Sequence, residues 1–267
     1  MNIIIPMSGH SRRFRAKGYN EPKAFLRIDN SPMIHWVCRM FSPESDRFIF
    51  VALEKHLSIP GYREVLCSAA VNTSIIGIEE HELGPVHSSL FADELIGDDE
   101  PVILSYCDGF QHWNYNRFLM QVNGYDGGMS VFRGYNYQMV STPASFGDTF
   151  YAYIRANEFM EMVELREKRS FTEVRHDEFA STGVYYMKSW ELYRFHAQKL
   201  LNDGLPVGNE YYVSLIYNPF VQSGKRVVLS EVDKFICWGT PEDFEEYQFW
   251  SRHFAKKSGQ FVLDDAH

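Results

Sequence analysis

The segment that decides the fold is residues 2–14, NIIIPMSGHSRRF. It begins with a short β-branched run, Ile3, Ile4 and Ile5, which ends at Pro6 and a turn of small residues. A continuous apolar run bounded in this way is typical of a strand buried on both faces of a parallel sheet. A small-residue turn after such a strand leaves backbone N–H groups that can bind an anion. The segment therefore predicts an α/β sheet with an anion-binding loop.

The rest of the chain alternates between strand and helix patterns. In the first half we expect strands at 47–53, 74–78 and 102–106 and helices at 32–41 and 85–96, which predicts βαβ units. After Gly124, glycines punctuate short runs at 129–132 and 149–154, which are typical of sheet edges and hairpins. Further elements are expected as a strand at 184–187, helices at 190–201 and 211–221, a strand at 227–229, and a last helix from Pro241 with Thr240 as N-cap.

These patterns predict one α/β domain over residues 1–267. Its main element is expected to be a Rossmann-like, three-layer and mostly parallel sheet, with helices on both faces. A smaller mixed sheet from the second half would wall a pocket for the acceptor.

Composition narrows the classes of function. The formal net charge of −9 disfavours a nucleic-acid partner, because such partners require a basic surface. The four cysteines are scattered without a CxxC pair, which is typical of reduced thiols and not of disulfides or a zinc site. The N-terminus lacks a signal-peptide pattern, and no stretch approaches the roughly 18 apolar residues that span a bilayer. We therefore expect a cytoplasmic protein without a membrane partner.

Two cations follow the first loop, at Arg13 and Lys23. Within the loop, Gly9 lets a phosphate approach the backbone, and Ser8 and Ser11 add hydroxyl donors. This combination suits a reaction in which one phosphate attacks another, since both reactants are anionic and need neutralising. The Walker pattern is absent, so the loop is not a P-loop. Taken alone, the segment also fits an ordinary Gly/Ser turn with surface arginines.

The loop and the segments after it resemble the N-terminal signature of the sugar-phosphate nucleotidyltransferases. That signature is a G-x-G-x-R-F loop, a P-K-P-L segment and a P-M-I helix, and the chain has PMSGHSRRF at 6–14, PKAFL at 22–26 and PMI at 32–34. Further matches follow in the family's order along almost the whole chain: LGPV at 83–86, YCD at 106–108, REK at 166–168, STG at 181–183, GNEYY at 208–212 and GTPED at 239–243. Each match is weak alone, but together they are a specific signal.

The resemblance implies roles on the nucleotide side of the site. Arg13 and Lys23 match the catalytic cations that grip the triphosphate and stabilise the reacting α-phosphorus. Asp108 matches the carboxylate that holds the catalytic Mg²⁺, at the carboxyl end of a strand, where open α/β sheets bind ligands. Taken alone, Asp108 would be a strand-end residue that caps a helix. The residues implied to contact the nucleoside triphosphate (NTP) are Met7, Ser8, Gly9, His10, Ser11, Gly84 and Pro85.

The resemblance also implies an acceptor side. Glu167 matches a residue that reaches a hydroxyl or similar group of the acceptor, and Lys168 matches a catalytic residue that binds the acceptor phosphate. Neighbours on a strand point to opposite faces, so the two should do different jobs. Taken alone, the run 166–169 (REKR) would be a solvated charge run. Gly183 and Glu210 match residues that line the acceptor pocket.

Some histidines and tyrosines are weaker candidates. His10, His81 and His87 lie near the expected site loops, and an ordinary loop role is the alternative for each. Aromatic residues make up 16% of the chain and are expected mainly in the core, with Tyr19 and Tyr185 as candidates for the pocket wall.

The chain departs from the family at two positions. Ser11 stands where the family has a second glycine, which matters if that position needs a positive φ. Cys237 stands where many relatives carry a second metal-binding aspartate, and a neutral thiol is a poor ligand for Mg²⁺. Asp233 is close in sequence, but four residues along a strand move it by roughly 13 Å. Either Asp108 and the NTP hold the metal, or catalysis is impaired.

We therefore expect an Mg²⁺-dependent nucleotidyltransferase that moves a nucleoside monophosphate from an NTP to a sugar phosphate or another small phosphorylated acceptor. The PMSG and YCD features resemble bacterial capsule-cluster cytidylyltransferases, which favours CTP and a role in surface polysaccharide synthesis, with UTP, GTP and dTTP left open. The alternative is a non-catalytic, nucleotide-binding paralogue that serves as a regulatory or assembly subunit. A glycosyltransferase ranks last, since CDGF at 107–110 is not a D-x-D motif. A homo-oligomer is left open.

Overall fold

The computed structural model of the chain describes residues 1–134 and 151–257. Its strands are β1 (Asn2–Met7), β2 (Arg27–Ile28), β3 (Ser31–Pro32), β4 (Arg47–Leu53), β5 (Asn72–Ile78), β6 (Val102–Ser105), β7 (Gly109–His112), β8 (Gly127–Phe132), β9 (Ala152–Ala156), β10 (Met162–Glu167), β11 (Phe179–Met187), β12 (Val227–Glu231) and β13 (Lys234–Cys237). Its α-helices are α1 (Arg12–Ala16), α2 (Met33–Cys38), α3 (Glu54–Leu57), α4 (Tyr62–Cys67), α5 (Pro85–Ser89), α6 (Tyr115–Val122), α7 (Trp190–Asp203), α8 (Tyr217–Gln222) and α9 (Pro241–Lys257). Short 3-10 helices occur at Lys23–Phe25, Leu90–Leu95, Arg175–Asp177 and Val213–Ile216.

In the part of the chain that the structure describes, the largest sheet has nine strands, and β1 lies near its centre. β1 pairs in parallel with β4 on one side and with β6 on the other, and β5 continues the parallel order beside β4. Every residue of β1 is buried, as its isoleucine run predicted. Because these strands are parallel, their carboxyl ends lie along one edge of the sheet. The loops that follow β1, β5 and β6 therefore meet at that edge.

β11 joins the second half of the chain to this parallel core. Its last residues pair antiparallel with β6, and its first two pair antiparallel with β9. The other side of β11 pairs with β8, with a register irregularity between Ser181 and Tyr185. Ser181, Thr182 and Gly183 thus lie between the pairings with β9 and β6. This interval opens toward the carboxyl end of β6.

The glycine-rich runs after residue 124 have two different outcomes. β9 and β10 form the predicted hairpin at the margin of the sheet, although residues 149 and 150 of the predicted run lie outside the described residues. The run at 129–132 was predicted as a sheet edge, and this is wrong, because β8 lies between β11 and β12. A Cβ on Gly128 would lie only 2.4 Å from Val122 Cγ1. The glycine therefore allows α6 to pack closely on a central strand.

Some predicted helices are shorter or interrupted. The helix expected at 32–41 is α2, and the helix expected at 85–96 is α5 followed by the 3-10 helix Leu90–Leu95. The helix expected at 211–221 begins as a 3-10 helix and continues as α8, with Pro219 in the first turn, where its missing N–H costs nothing. The last helix starts at Pro241 as predicted. Its cap is Thr240, whose Oγ1 accepts a hydrogen bond from the Asp243 backbone N–H at 3.1 Å.

Apolar clusters cover both faces of the large sheet. One contains Ile4, Trp190 and Tyr217, and the other contains Ile3 and Phe48, because successive residues of β1 point to opposite faces. Two smaller antiparallel sheets, β7–β13 and β2–β3, lie beside it. The predicted α/β fold is confirmed, with a large sheet around a parallel core and smaller sheets. Within 1–134 and 151–257, no helix is long and apolar enough to cross a bilayer.

Candidate active site

A cleft of about 770 Å³ opens where β1 and β6 end. Its walls are the loop between β1 and α1, the segment before α5, the end of β6 and the segment around Glu210. A recess of about 120 Å³ adjoins the cleft, and both are lined by Arg13, Tyr106, Asp108 and Tyr212. The recess lies at the interval in β11 between its pairings with β9 and β6.

The cleft and the recess bring together the residues that the sequence singled out. Glu167 and Gly183 line the recess. The predicted residues that line the cleft are Met7, Ser8, Gly9, His10, Ser11, Arg13, Lys23, Gly84, Pro85, Asp108, Lys168 and Glu210. Residues up to about 200 positions apart in the chain are thus gathered at one edge of the sheet.

Ser11 has the left-handed backbone conformation that its family position suggested, with φ 52° and ψ 35°, at the start of α1. A residue with a Cβ is strained there by about 1–2 kcal/mol. Its side chain offsets part of this cost, because Ser11 Oγ accepts a hydrogen bond from the Lys23 backbone N–H at 3.1 Å. Ser11 therefore ties the first loop to the segment that carries Lys23.

Lys23 and Asp108 form an ion pair in the cleft. Lys23 Nζ lies 2.5 Å from Asp108 Oδ2, and the two side chains are 21% and 26% exposed. Burial disfavours both charges, but their mutual attraction outweighs it, so that the pKa of Lys23 is raised and the pKa of Asp108 is lowered. The nearby Arg13 also lowers the pKa of Asp108. Both members of the pair are thus charged at neutral pH, and Arg13 adds positive charge to the same cleft.

Gly84 and Pro85 form the opposite wall. Gly84 has φ 81° and ψ −171°, a conformation that essentially only glycine adopts. A Cβ there would lie 3.0 Å from both Glu210 Cβ and the Tyr211 backbone nitrogen. Pro85 is the first residue of α5, where its missing N–H is not needed. The glycine therefore lets the start of α5 pack directly on the segment that carries Glu210.

The recess has aromatic walls and several carboxylates, of which Glu167 lines the recess but not the cleft. Glu167, the last residue of β10, accepts a hydrogen bond from the Ser214 hydroxyl at 2.5 Å, and burial raises the pKa of Glu167. Gly183 has φ 90°, and a Cβ there would lie 2.8 Å from Tyr106 Cδ2, so the glycine makes room for the ring. Phe235 and Cys237 of β13 also line the recess, so one of the smaller sheets walls it. The aromatic wall residues are Tyr106, Tyr151, Tyr185, Tyr212 and Phe235.

Glu167 and Lys168 face different spaces, although they are neighbours. Lys168 lies just beyond β10 with φ 55°, and it lines the cleft, whereas Glu167 lines the recess. The change of direction comes from this left-handed residue and not from strand alternation. Lys168 Nζ donates to the Tyr212 hydroxyl at 2.5 Å, and that hydroxyl donates to Glu210 Oε2. Two of the predicted acceptor residues, Lys168 and Glu210, are therefore linked by hydrogen bonds through Tyr212, which also lines the recess.

Asp108 and Cys237 lie beside each other, since a Cβ on Gly239 would lie 3.2 Å from Asp108 Oδ2 and 3.3 Å from Cys237 Sγ. Burial raises the pKa of Cys237 to about 12, so it is a neutral thiol and a poor ligand for Mg²⁺. Asp233 does not take its place, because its side chain is 70% exposed and lies 3.4 Å from His112, at the other end of the β7–β13 sheet. Among residues 1–134 and 151–257, no group of three or more His, Cys, Asp or Glu could hold a metal.

Most of the weaker candidates lie at or next to the cleft or the recess. His10 and His81 line the cleft, and His87 packs against His81 with ring centroids 4.6 Å apart. Tyr185 lines the recess. Tyr19 as a pocket residue is wrong, because its ring packs against Phe14 and Phe244 and its hydroxyl donates to Glu245.

The sequence indicated no role for four aromatic wall residues, Tyr106, Tyr151, Tyr212 and Phe235. Tyr106 and Tyr212 lie inside the YCD and GNEYY segments, whereas Tyr151 and Phe235 lie outside the segments that match the family. A signal existed for Tyr106 and Tyr212, since each lies two residues from a predicted site residue, Asp108 or Glu210. No comparable signal distinguishes Phe235 from the aromatic residues of the core.

No protein-family model matches the chain, and no curated protein matches it by sequence. Solved structures do match it over nearly its whole length. A nucleoside-diphosphate-sugar pyrophosphorylase from Vibrio cholerae RC9 is 18% identical with a TM-score of 0.72, covering 92% of this chain and 99% of its own. A UDP-glucose pyrophosphorylase complexed with UDP-glucose is 17% identical with a TM-score of 0.71, covering 96% and 98%.

The fold is that of the nucleotide-sugar pyrophosphorylases. The inositol-1-phosphate CTP transferase from T. maritima also shares it, at 17% identity and a TM-score of 0.67, with 94% of this chain and 95% of the other covered. At such identities the likeness to these pyrophosphorylases and transferases concerns the fold, and function has to be argued from the site.

Proposed function

We propose that the protein transfers a nucleoside monophosphate from an NTP to a small phosphorylated acceptor and releases pyrophosphate. The observation that carries this proposal is that Arg13, Lys23 and Asp108 all line one cleft at the end of β1. Two cations and a carboxylate beside a small-residue loop suit a triphosphate and its metal ion. The adjoining recess offers a separate space for the acceptor.

In the proposed reaction, an oxygen of the acceptor phosphate attacks the α-phosphorus of the NTP. The bond between the α-phosphorus and its bridging oxygen breaks, and pyrophosphate leaves with the electron pair. The nucleophile is already an anion, so no general base is required and catalysis rests on position and charge. Arg13 and Lys23 would stabilise the charge on the α-phosphoryl oxygens. Lys168 would bind the acceptor phosphate, and Glu167 a polar group of the acceptor.

Mg²⁺ is the proposed cofactor, and Asp108 is the residue that would hold it. Mg²⁺ binds one or two carboxylates together with phosphate oxygens, so a single aspartate at the triphosphate site fits this ion. Lys23 occupies Oδ2 of Asp108, and the carboxylate has a second oxygen to offer. When bound, Mg²⁺ would neutralise charge on the triphosphate.

CTP and a role in surface polysaccharide synthesis are the narrower proposals. They are supported by the PMSG and YCD segments of the chain. Structural likeness does not select the base, since the similar solved structures include a CTP transferase and a UDP-glucose pyrophosphorylase. Their names include inositol-1-phosphate and a hexose, so the acceptor could be a cyclic polyol phosphate or a sugar phosphate.

The second candidate is a non-catalytic nucleotide-binding paralogue, and Cys237 beside Asp108 is the observation in its favour. The ion pair of Lys23 and Asp108 favours the transferase instead, because both groups are charged and line the proposed triphosphate cleft. The two candidates differ in one measurable product, pyrophosphate.

The experiment incubates the protein with Mg²⁺, each of CTP, UTP, GTP and dTTP, and a panel of sugar 1-phosphates and polyol phosphates, and measures pyrophosphate. Release with one combination supports the transferase, whereas NTP binding without release across the panel supports the paralogue. We expect Lys23→Ala to lower turnover by about 100-fold or more, as for other preorganised donors at a developing charge. Lys199→Ala is the matched control, since Lys199 pairs with Asp203 on the surface of α7.

A further inference from the structure

Two loops that frame the cleft are joined by a chain of hydrogen bonds in its wall. Ser8, in the loop after β1, contacts Ser88 of α5 with 2.5 Å between the hydroxyl oxygens. Ser88 Oγ lies 3.0 Å from His81 Nε2, and His81 Nδ1 accepts from the Leu83 backbone N–H at 3.1 Å. Ser8 and Ser88 are 6% and 0% exposed, so the contact between their hydroxyls is shielded from bulk water.

The positions of the hydrogens follow from these contacts. His81 Nδ1 accepts a hydrogen bond, so in the neutral ring the proton is on Nε2. Burial, followed by the nearby His87 and His10, lowers the pKa of His81, which keeps the ring neutral at physiological pH. Nε2–H therefore donates to Ser88 Oγ. Ser88 can then give its own hydrogen either to the Gly84 carbonyl, at 3.2 Å, or to Ser8.

A phosphate ligand would select one of these two arrangements. Phosphate oxygens only accept hydrogen bonds, so a Ser8 hydroxyl that faces them must donate to them. Ser8 then cannot donate to Ser88, so in their short contact Ser88 donates its hydrogen to Ser8 Oγ. Ser88 Oγ in turn accepts a hydrogen bond from His81 Nε2–H. The Gly84 carbonyl does not lose its partner, because it also accepts from the Ser88 backbone N–H at 3.3 Å.

We propose that His81 is a positioning residue for the triphosphate, acting through Ser88 on Ser8. The relay runs in one direction, from the Leu83 N–H through His81 and Ser88 to the Ser8 hydroxyl, which donates to a phosphate oxygen. Hydrogen bonds aligned in this way polarise one another, and burial strengthens the contact between Ser88 and Ser8. The relay deepens the proposed function and rests on it, since it requires a triphosphate in the cleft.

Two substitutions of His81 separate the relay from a purely structural role. In His81→Gln, the side-chain amide can take the place of Nε2–H and donate to Ser88, while the acceptor for Leu83 is lost. In His81→Asn, the amide oxygen can take the place of Nδ1 and accept from Leu83, but the side chain is too short to reach Ser88. The relay and the loop structure thus make opposite predictions for this pair.

The measurement is the dissociation constant of the NTP that binds best among CTP, UTP, GTP and dTTP, with the KM and kcat of pyrophosphate release. We expect His81→Asn and Ser88→Ala to weaken NTP binding by about five- to tenfold, the effect of one hydrogen bond, and to change KM more than kcat. His81→Gln should recover most of this loss. Binding of the nucleoside without phosphates should not change in any of these variants. His112→Asn, at an exposed histidine, is the control.

If His81→Gln binds the NTP more weakly than His81→Asn does, His81 has a role in loop structure alone, and the relay is overturned. If a His81 variant does not fold, Ser8→Ala and Ser88→Ala supply the test. If the relay operates, the double substitution weakens NTP binding no more than Ser8→Ala alone does, whereas additive losses of affinity contradict the relay. A parent protein that binds none of the triphosphates would remove the proposed function together with the relay. Normal parent binding with unaffected variants would remove the relay only.

Discussion

Replacing Gly183 with alanine tests how the recess is built. The φ of 90° at this position costs a residue with a Cβ about 1–2 kcal/mol. The added Cβ would also lie 2.8 Å from Tyr106 Cδ2 and 3.2 Å from Tyr106 Cγ, so the ring must move. Overpacking of this kind costs about 1–3 kcal/mol. We therefore expect Gly183→Ala to lower the free energy of unfolding by about 2–5 kcal/mol.

Gly124→Ala is the matched control for this prediction. Gly124 has nearly the same φ, 89°, but among the residues that the structure describes no atom beyond its chain neighbours lies within 4 Å of an added Cβ. It should lose only the backbone strain, about 1–2 kcal/mol in urea unfolding. The difference between the two variants isolates the Tyr106 contact. Since Tyr106 lines the recess, only Gly183→Ala should also raise the KM of the acceptor. Equal losses of stability in the two variants would refute this account of the recess.

Three other predictions concern the loop, the metal position and the core. Ser11→Ala should lower the free energy of unfolding in urea by about 1 kcal/mol, because it loses the hydrogen bond from Lys23 and keeps the backbone strain. Ser11→Gly loses both the hydrogen bond and the strain and should be near neutral, and equal effects of the two variants would contradict this account. Without Mg²⁺, Cys237→Asp should lower Tm, because it places a second carboxylate beside Asp108, and Mg²⁺ should raise the Tm of this variant more than that of the parent. An equal increase in Tm for both proteins would exclude a metal position there. Burial, with the nearby Lys55 and Arg15, lowers the pKa of His56 to about 4, so the unfolded chain takes up the proton first as pH falls. The free energy of unfolding should therefore drop by about 2 kcal/mol from pH 7 to pH 4.5, and His56→Gln should lack this drop.

Much of the fold could be predicted from local patterns. The strand at 47–53 is β4 residue for residue, and β1 is fully buried as its isoleucines indicated. Strong apolar runs are reliable because both faces of a parallel sheet are covered. Gly127 and Gly128 were misleading, because a glycine that permits a turn and one that permits close packing look alike in sequence. Only the neighbour, Val122 of α6, distinguishes the two cases.

The site could be predicted where a residue's role depends on its own chain segment. Gly84 and Ser11 need unusual backbone conformations, and their motifs indicated both positions. Contacts between distant segments could not be predicted in this way. The ion pair of Lys23 and Asp108 spans 85 positions, and Ser8 meets Ser88 across 80. Such pairs depend on which strands become neighbours, which no single segment of the sequence specifies.

The first loop depends on the last described helix. Phe14 of α1 packs in one apolar cluster with Trp238 and with Phe244 of α9, and the Tyr19 hydroxyl donates to Glu245 of the same helix. Helix α1, which follows the first loop and carries Arg13, is therefore supported by residues that lie more than two hundred positions later in the chain. During synthesis on the ribosome, the parallel strands can assemble long before α9 emerges. The nascent chain should thus pair β1, β4, β5 and β6 early but gain affinity for a nucleotide only when α9 has docked.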